Sequence, residues 1–414
     1  MARHHARALG HSGVEATIVG VVDPNCEARA ALGGVAGAAP GYESLTRLLE
    51  RERVDVVHIC TPAETHVELA RQALRAGCHL YIEKPFAITV SEADELFRLA
   101  DERQLRVSAG HQLLYEPVTE WARTLLPALG RIAHIESYFS FRPVRRGTLS
   151  ADQQLLDVLP HPTYLLLDLL QRTGEFDSPV DARVDLDGFG NVHALVSGGG
   201  ATGSLCVTLS GRPVESYVRV VGTNGTIHVD YVRGTVQRLI GPGASGIDKA
   251  LVPYRLGRQL LSQTTAALAR RIRKRSGAYP GLVEILRAFY AGIASGQDAV
   301  SRENIRETTR IVESVARLIE HARRPLIRTS PSDRPVVVVT GGTGFLGSAV
   351  VRRLVADGTY SVRVLARRPP APWEAEAQVE YRACDLATDP LEERLAQATC
   401  VVHCAAETGG GWAE

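Results

Sequence analysis

The sequence lacks any imbalance of charge: its 414 residues hold 47 Lys and Arg against 46 Asp and Glu. A chain this close to neutral offers no electrostatic footprint for nucleic acid, so no nucleic-acid partner is expected. It also lacks an apolar stretch of membrane-spanning length and a secretory signal pattern. Its seven cysteines fall singly or as Cys400-x-x-x-Cys404, with neither a disulfide framework nor metal-ligand spacing. Most lie in apolar runs and read as small core residues. No metal is expected, and a reducing, cytoplasmic location is the default. The length suffices for two or three domains.

What is present begins with a lysine at the end of a strand. Cys78-His79-Leu80-Tyr81-Ile82 is a short apolar run after Gly77 and reads as a buried strand, followed at once by Glu83-Lys84-Pro85. Open α/β sheets bind ligands at their carboxyl edge, which is where Lys84 falls. Pro85 fixes its own φ and stiffens the turn that aims the lysine. A half-buried lysine can act as an acid or base. Upstream, a strand over Val54 to Cys60 leads to Thr61-Pro62-Ala63-Glu64-Thr65-His66 and a helix over His66 to Ala76. Downstream, Ser91-Glu92-Ala93-Asp94 reads as a helix N-cap, and Ala109-Gly110-His111-Gln112 follows.

These pieces, in this order and spacing, resemble the Gfo/Idh/MocA family of NAD(P)-dependent oxidoreductases, over residues 1 to about 325. The matching stretches are those at Thr61, at Ala76 through Pro85, and Gly110 with Pro117. The resemblance implies a dinucleotide-binding domain over 1–117 and a substrate domain over 118–325. It places Thr61, Pro62, His66, Glu83 and Lys84 around the cofactor. Ala16 to Asp23 reads as a strand ending in an acid, and Asp23 suits the adenosine ribose hydroxyls, favouring NAD over NADP. The strand and G-x-G-x-x-G turn that should precede the helix Ala2 to Leu9 are not in the sequence, so we expect a Rossmann-like doubly wound sheet with its first strand missing.

Strand-like runs at Ile132 to Phe139, Ala182 to Leu186, Val192 to Val196, Gly203 to Leu209 and Tyr217 to Val221 predict an open, mostly antiparallel sheet, making the second domain α+β. Val220 to Asp230 reads as a hairpin turning at Asn224-Gly225. Asp157 and His161, four apart, would share one helix face. By the resemblance they join Lys84 as the catalytic group, although Pro160 departs from the family's small residue. Oxidising a secondary alcohol needs a hydride acceptor and a base. His161 is the natural base, Lys84 can hold the alcohol oxygen, and Asp157 can orient the imidazole. Which of Lys84 and His161 takes the proton first stays open.

Residues 255–275 carry Arg255, Arg258, Arg270, Arg271, Arg273, Lys274 and Arg275 among Leu256, Leu260, Leu261, Leu268 and Ile272. Such a basic amphipathic helix can touch an anionic membrane, but a solvated helix is the simpler expectation. A helix over Ser301 to His321 closes this part. A polar, proline-bearing linker, 326–334, then leads into 335–414.

There, Val336 to Val339 reads as a strand, Thr340-Gly341-Gly342-Thr343-Gly344-Phe345-Leu346-Gly347 as a glycine turn, and Ser348 to Asp357 as a helix. Arg367-Arg368, after the strand Ser361 to Leu365, suits the 2′-phosphate of NADP. With Asp385-Leu386 and Val401 through Ala405 and Ala406, this part resembles the extended short-chain dehydrogenase/reductase family, which includes NAD-dependent epimerases and dehydratases. The resemblance implies cofactor binding by Gly341, Gly344, Phe345, Leu346, Gly347, Arg367, Arg368, Asp385, Leu386 and Ala405 in a second, partial Rossmann domain. The family's Tyr-x-x-x-Lys is not in the sequence. We expect a piece of a two-enzyme fusion: an oxidoreductase acting on a sugar-like hydroxyl, forming a homo-oligomer, followed by the front of a second dehydrogenase. The alternative is a non-catalytic dinucleotide sensor or scaffold.

Overall fold

The structure is a computed structural model. It describes all residues except 143–148, 175–178, 199, 242–244, 274–278, 280, 324–333, 377 and 406–414. The chain divides into two compact units, one of residues 1–141, 157–185 and 192–314, the other of 142–156, 186–191 and 315–414. Most of the expected linker lies outside the described residues.

The first unit contains a parallel sheet in two pieces. Val56–Ile59, His79–Ile82 and Val107–Ala109 pair side by side in that order. Val21–Val22 pairs only with Gly41–Tyr42, two rungs long. The expected strand from Ala16 to Asp23 is thereby reduced to two residues, because a ladder extends only as far as its partner. Leu80, Tyr81 and Ile82 are fully buried, as their unbroken apolar run requires. The helix His66–Arg75 buries Val67, Ala70, Ala73 and Leu74, a one-sided stripe at helical spacing. The next helix, Val90–Glu102, starts two residues earlier than an N-cap at Ser91 predicts. Thr89 is its N-cap: its hydroxyl accepts from the Glu92 amide, and the Glu92 carboxylate accepts from the Thr89 amide.

The same unit carries a seven-stranded sheet in the order Thr235–Ile240, Gly225–Asp230, Ser216–Gly222, Ile132–Ser140, Ala201–Thr208, Val192–Gly198 and Asp181–Leu186. Of the pairings described, Ile132–Ser140 with Ala201–Thr208 is parallel and the others antiparallel. In the hairpin Gly222 pairs Gly225, so the two-residue loop is Thr223-Asn224, one residue earlier than expected. The helix Pro160–Gln171 is buried along nearly its whole length and packs on the strands Ile132–Ser140 and Ala201–Thr208. The basic segment is a helix, Gly246–Arg273, with Pro253 inside it. Its Gln259 and Gln263 side-chain amides bond the backbone of Arg238 and Val236, closing that edge of the sheet. Among the described residues no helix is long and apolar enough to cross a membrane.

The second unit contains a four-stranded parallel sheet, Val379–Ala383, Ser361–Ala366, Val336–Thr340 and Ala398–His403 in that order. Val337, Val339, Val351, Val362 and Val364 form its core with the helix Phe345–Asp357. That helix begins at Phe345 rather than Ser348, so Phe345, Leu346 and Gly347 occupy its first turn.

Candidate active site

Glu83 and Lys84 follow the strand His79–Ile82 and find different partners. Lys84 reaches Asp157: its Nζ donates to the Asp157 carboxylate over 2.6 Å and to the Asp157 carbonyl over 2.9 Å. The lysine side chain is 14 % exposed and the aspartate 50 %. Glu83 points inward and is almost fully buried. Its Oε1 lies 2.8 Å from Nε2 of His5, and its Oε2 has no hydrogen-bond partner among the described residues. Gly110 lies against this carboxylate, where a Cβ would come within 3.0 Å of Oε2.

His5 links two further rings. Its Nδ1 lies 2.9 Å from Nδ1 of His58, whose Nε2 is 3.0 Å from the Tyr290 hydroxyl. Burial disfavours charge on His5, but the Cys60 and Glu83 groups beside it outweigh that and raise its pKa to about 9. A protonated His5 donates from both nitrogens, to Glu83 and to His58. Burial first, and the His5 charge second, push His58 well below the ordinary histidine value. No sequence signal pointed to this cluster, because His5 and Glu83 are 78 residues apart.

Asp157 and His161 do not share one helix. Ala151–Val158 ends before Leu159, and Pro160 opens the next helix at its first position. Proline has no amide to continue the ladder, and its ring fits the first turn of a new helix. The expected orientation of the imidazole by Asp157 is replaced: Asp157 holds Lys84, and His161 bonds Tyr164, Nδ1 to hydroxyl at 2.9 Å. Tyr164, three residues on, is the partner that helical spacing could have named. Burial, then the Lys84 charge, then His111 hold the His161 pKa well below the ordinary value.

His66 sits between the two loops at the sheet edge. It is buried, with Nδ1 2.8 Å from the Pro85 carbonyl and Nε2 2.9 Å from the Thr61 carbonyl. With one N–H, the neutral ring donates to one of these two carbonyls at a time. Thr61 and Pro62 are exposed at that edge. Asp23 ends its strand, and its Oδ1 accepts from the Asn25 amide over 2.9 Å.

In the second unit the expected residues gather at the carboxyl edge of the parallel sheet. Gly341 has φ of +65°, a conformation that favours glycine. A Cβ on Gly347 would come within 2.2 Å of the Gly341 carbonyl, so turn and helix close only without one. Gly344 is the helix N-cap, and Phe345 and Leu346 are exposed in the first turn. Arg367 and Arg368 follow the neighbouring strand and are exposed. Asp385 caps the turn after Val379–Ala383, its Oδ1 accepting from the Ala387 amide, and Leu386 follows it. Ala405 backs onto Gly341, where a Cβ would meet its Cα at 2.7 Å.

A dinucleotide needs a close approach of its pyrophosphate to helix amides and a partner for its ribose. The second unit fits: side-chain-free glycines line the turn into Phe345–Asp357, and Arg367 and Arg368 lie beyond the next strand. The first unit fits in part. Asp23 and the loops at Thr61 and Lys84 stand at strand ends, but among its described residues no glycine turn leads from a strand into a helix. Among the described residues no cluster of His, Cys, Asp or Glu could hold a metal ion.

Residues 1–111 match the oxidoreductase family with an NAD-binding Rossmann fold, Gfo/Idh/MocA. Residues 337–414 match the NAD-dependent epimerase/dehydratase family. The UDP-N-acetylglucosamine 3-dehydrogenase of Acidithiobacillus ferrooxidans is 35 % identical over 166 residues, 40 % of this chain and 49 % of that protein. The dTDP-3,4-didehydro-2,6-dideoxy-alpha-D-glucose 3-reductase of Actinomadura kijaniata is 33 % identical over 109 residues, 26 % of this chain and 33 % of that one. The chain thus spans half or less of the length of these curated relatives. The WlbA dehydrogenase of Bordetella pertussis, solved with NADH and UDP-GlcNAcA, shares the fold with a TM-score of 0.59. It is 18 % identical, over 76 % of this chain and 91 % of that one. Residues 1–111 are accordingly similar to the Gfo/Idh/MocA oxidoreductases, and residues 337–414 to the NAD-dependent epimerases and dehydratases.

Proposed function

We propose that the first unit is a nicotinamide-dependent oxidoreductase acting on a secondary alcohol, or the matching ketone, of a sugar, nucleotide sugar or cyclitol. The observation that carries this reading is the grip of Lys84 on Asp157 at 2.6 Å, with His161 on the next helix. A nicotinamide cofactor would supply or accept the hydride. Asp157 holds the lysine ammonium in place. Lys84, with one proton uncommitted to Asp157, is the group that meets the substrate oxygen and stabilises negative charge there. His161 is kept neutral by its surroundings and is the second group at that oxygen. The sugar-like substrate is proposed from the names of the relatives, which are a UDP-sugar dehydrogenase and a dTDP-sugar reductase.

The second unit is proposed to bind a dinucleotide through Gly341, Gly344 and Gly347, with Arg367 and Arg368 favouring NADP, whereas Asp23 favours NAD in the first. The test of the first unit is turnover of nucleotide-sugar and cyclitol alcohols by the full chain. Lys84→Ala and His161→Ala should each lower kcat by about a hundredfold or more, the scale of acid–base groups. Near-normal turnover in both would reject the site. Binding of dinucleotide with no turnover of any such alcohol or ketone by the unaltered chain would favour a sensor.

A further inference from the structure

We infer that Tyr164 is a positioning residue that fixes His161 with its proton on Nε2, so that the ring presents a donor, not a lone pair, to the substrate oxygen. The inference rests on the site proposed above and assigns one group within it.

A tyrosine hydroxyl has one proton to give and lone pairs to accept. Tyr164 is fully buried, and its hydroxyl has two partners among the described residues. One is the Leu113 amide at 3.3 Å, which can only donate. The other is Nδ1 of His161 at 2.9 Å. The hydroxyl proton therefore goes to His161 Nδ1, because a buried donor left unmade is costly. Nδ1 is then an acceptor, and the neutral ring carries its proton on Nε2.

The Tyr164 ring cannot easily turn away. His111 stacks on it at a centroid distance of 4.3 Å, and Asn304 ties the two, its Oδ1 accepting from His111 Nδ1 over 3.2 Å and its Nδ2 donating to the Tyr164 carbonyl over 3.0 Å. The charged groups near His161 work in the same sense. Lys84, held by Asp157, disfavours an imidazolium, and so does His111. An imidazolium would also point a second donor at the Tyr164 oxygen and strand the hydroxyl proton.

The consequence reverses the expectation that His161 is the base. A ring with Nδ1 engaged and Nε2 protonated has no lone pair free for a hydroxyl proton. It can stabilise an oxyanion by donating from Nε2. In reduction the proton that joins the substrate oxygen then comes from the Lys84 ammonium: an N–H bond breaks, an O–H bond forms, and Lys84 is left as the amine.

The test is nitrogen-15 NMR of the full chain with labelled histidine, His161 being assigned by its loss in His161→Gln. The expected spectrum is that of a neutral ring protonated on Nε2 near pH 7.5. In Tyr164→Phe that form should lose about a tenfold preference, the weight of one hydrogen bond, and the other tautomer should appear. A wild-type ring protonated on Nδ1 would overturn the inference by itself, whether or not the variant folds. An unchanged tautomer in a folded Tyr164→Phe would also overturn it. Because the spectrum needs no turnover, an Nε2–H ring in a chain that turns nothing over supports the inference while refuting the oxidoreductase reading. An Nδ1–H ring in an active enzyme does the reverse.

Discussion

Replacing His5 by leucine should destabilise the first unit strongly, and the structure sets the size. Glu83 is buried with one oxygen on His5 at 2.8 Å and the other without a partner among the described residues. Leucine fills the space but leaves a buried carboxylate with nothing to neutralise it. Breaking a buried pair this way costs about 3–5 kcal/mol. A unit this large loses about 2 °C of Tm per kcal/mol, so the fall should be about 6–10 °C. The double variant His5→Leu/Glu83→Gln should recover most of it, since no charge is then stranded. The assay is thermal and urea unfolding of both variants followed by circular dichroism at pH 7.5, with the coupling taken from the double-mutant cycle. The pH adds a second reading. His5 is raised to about 9, so its contribution is complete below about 6.5 and is lost as pH rises through 9. Wild type should therefore weaken over that interval more than His5→Leu does. A single-variant loss under about 1 kcal/mol, with additive single and double effects, would show that the buried pair contributes nothing of the kind.

His111 is held down to about 3 by burial, so its neutral form stabilises the fold fully above about 6.5 and progressively less as pH falls toward 3. His58 and His161 are lowered likewise, and urea titrations should show an acid loss of at most about 1.4 kcal/mol per pH unit for each such group; flat stability from pH 7 to 5 would contradict it. Gly347→Val should abolish dinucleotide binding by the second unit without touching the first, because a Cβ there would lie 2.2 Å from the Gly341 carbonyl. Calorimetry with NADPH on the full chain, before and after the change, reads this directly, and unchanged binding would place the cofactor elsewhere.

Local chemistry was legible in the sequence wherever one stretch of chain decides the outcome. The apolar run at Leu80 to Ile82 could only be a buried strand, and the glycines at 341, 344 and 347 could only be a tight turn into a helix. Lys84 was found because strand and proline fix where it stands, and its meeting with Asp157 was implied by the family resemblance. What the sequence left undecided depends on long-range partners. The partner of Glu83 is a histidine 78 residues away, and no periodicity links them. The Pro85 carbonyl that His66 meets is 19 residues away, brought there by the fold alone. Asp157 and His161, four apart, read as one helical face, yet Pro160 starts a new helix and hands the imidazole to Tyr164. The sequence by itself determined which residues stand at the strand ends and turns, because backbone sterics and burial act over a few residues. Tertiary structure alone decided which of them hold one another, because hydrogen bonds and desolvation depend on whatever the fold brings within about 3 Å.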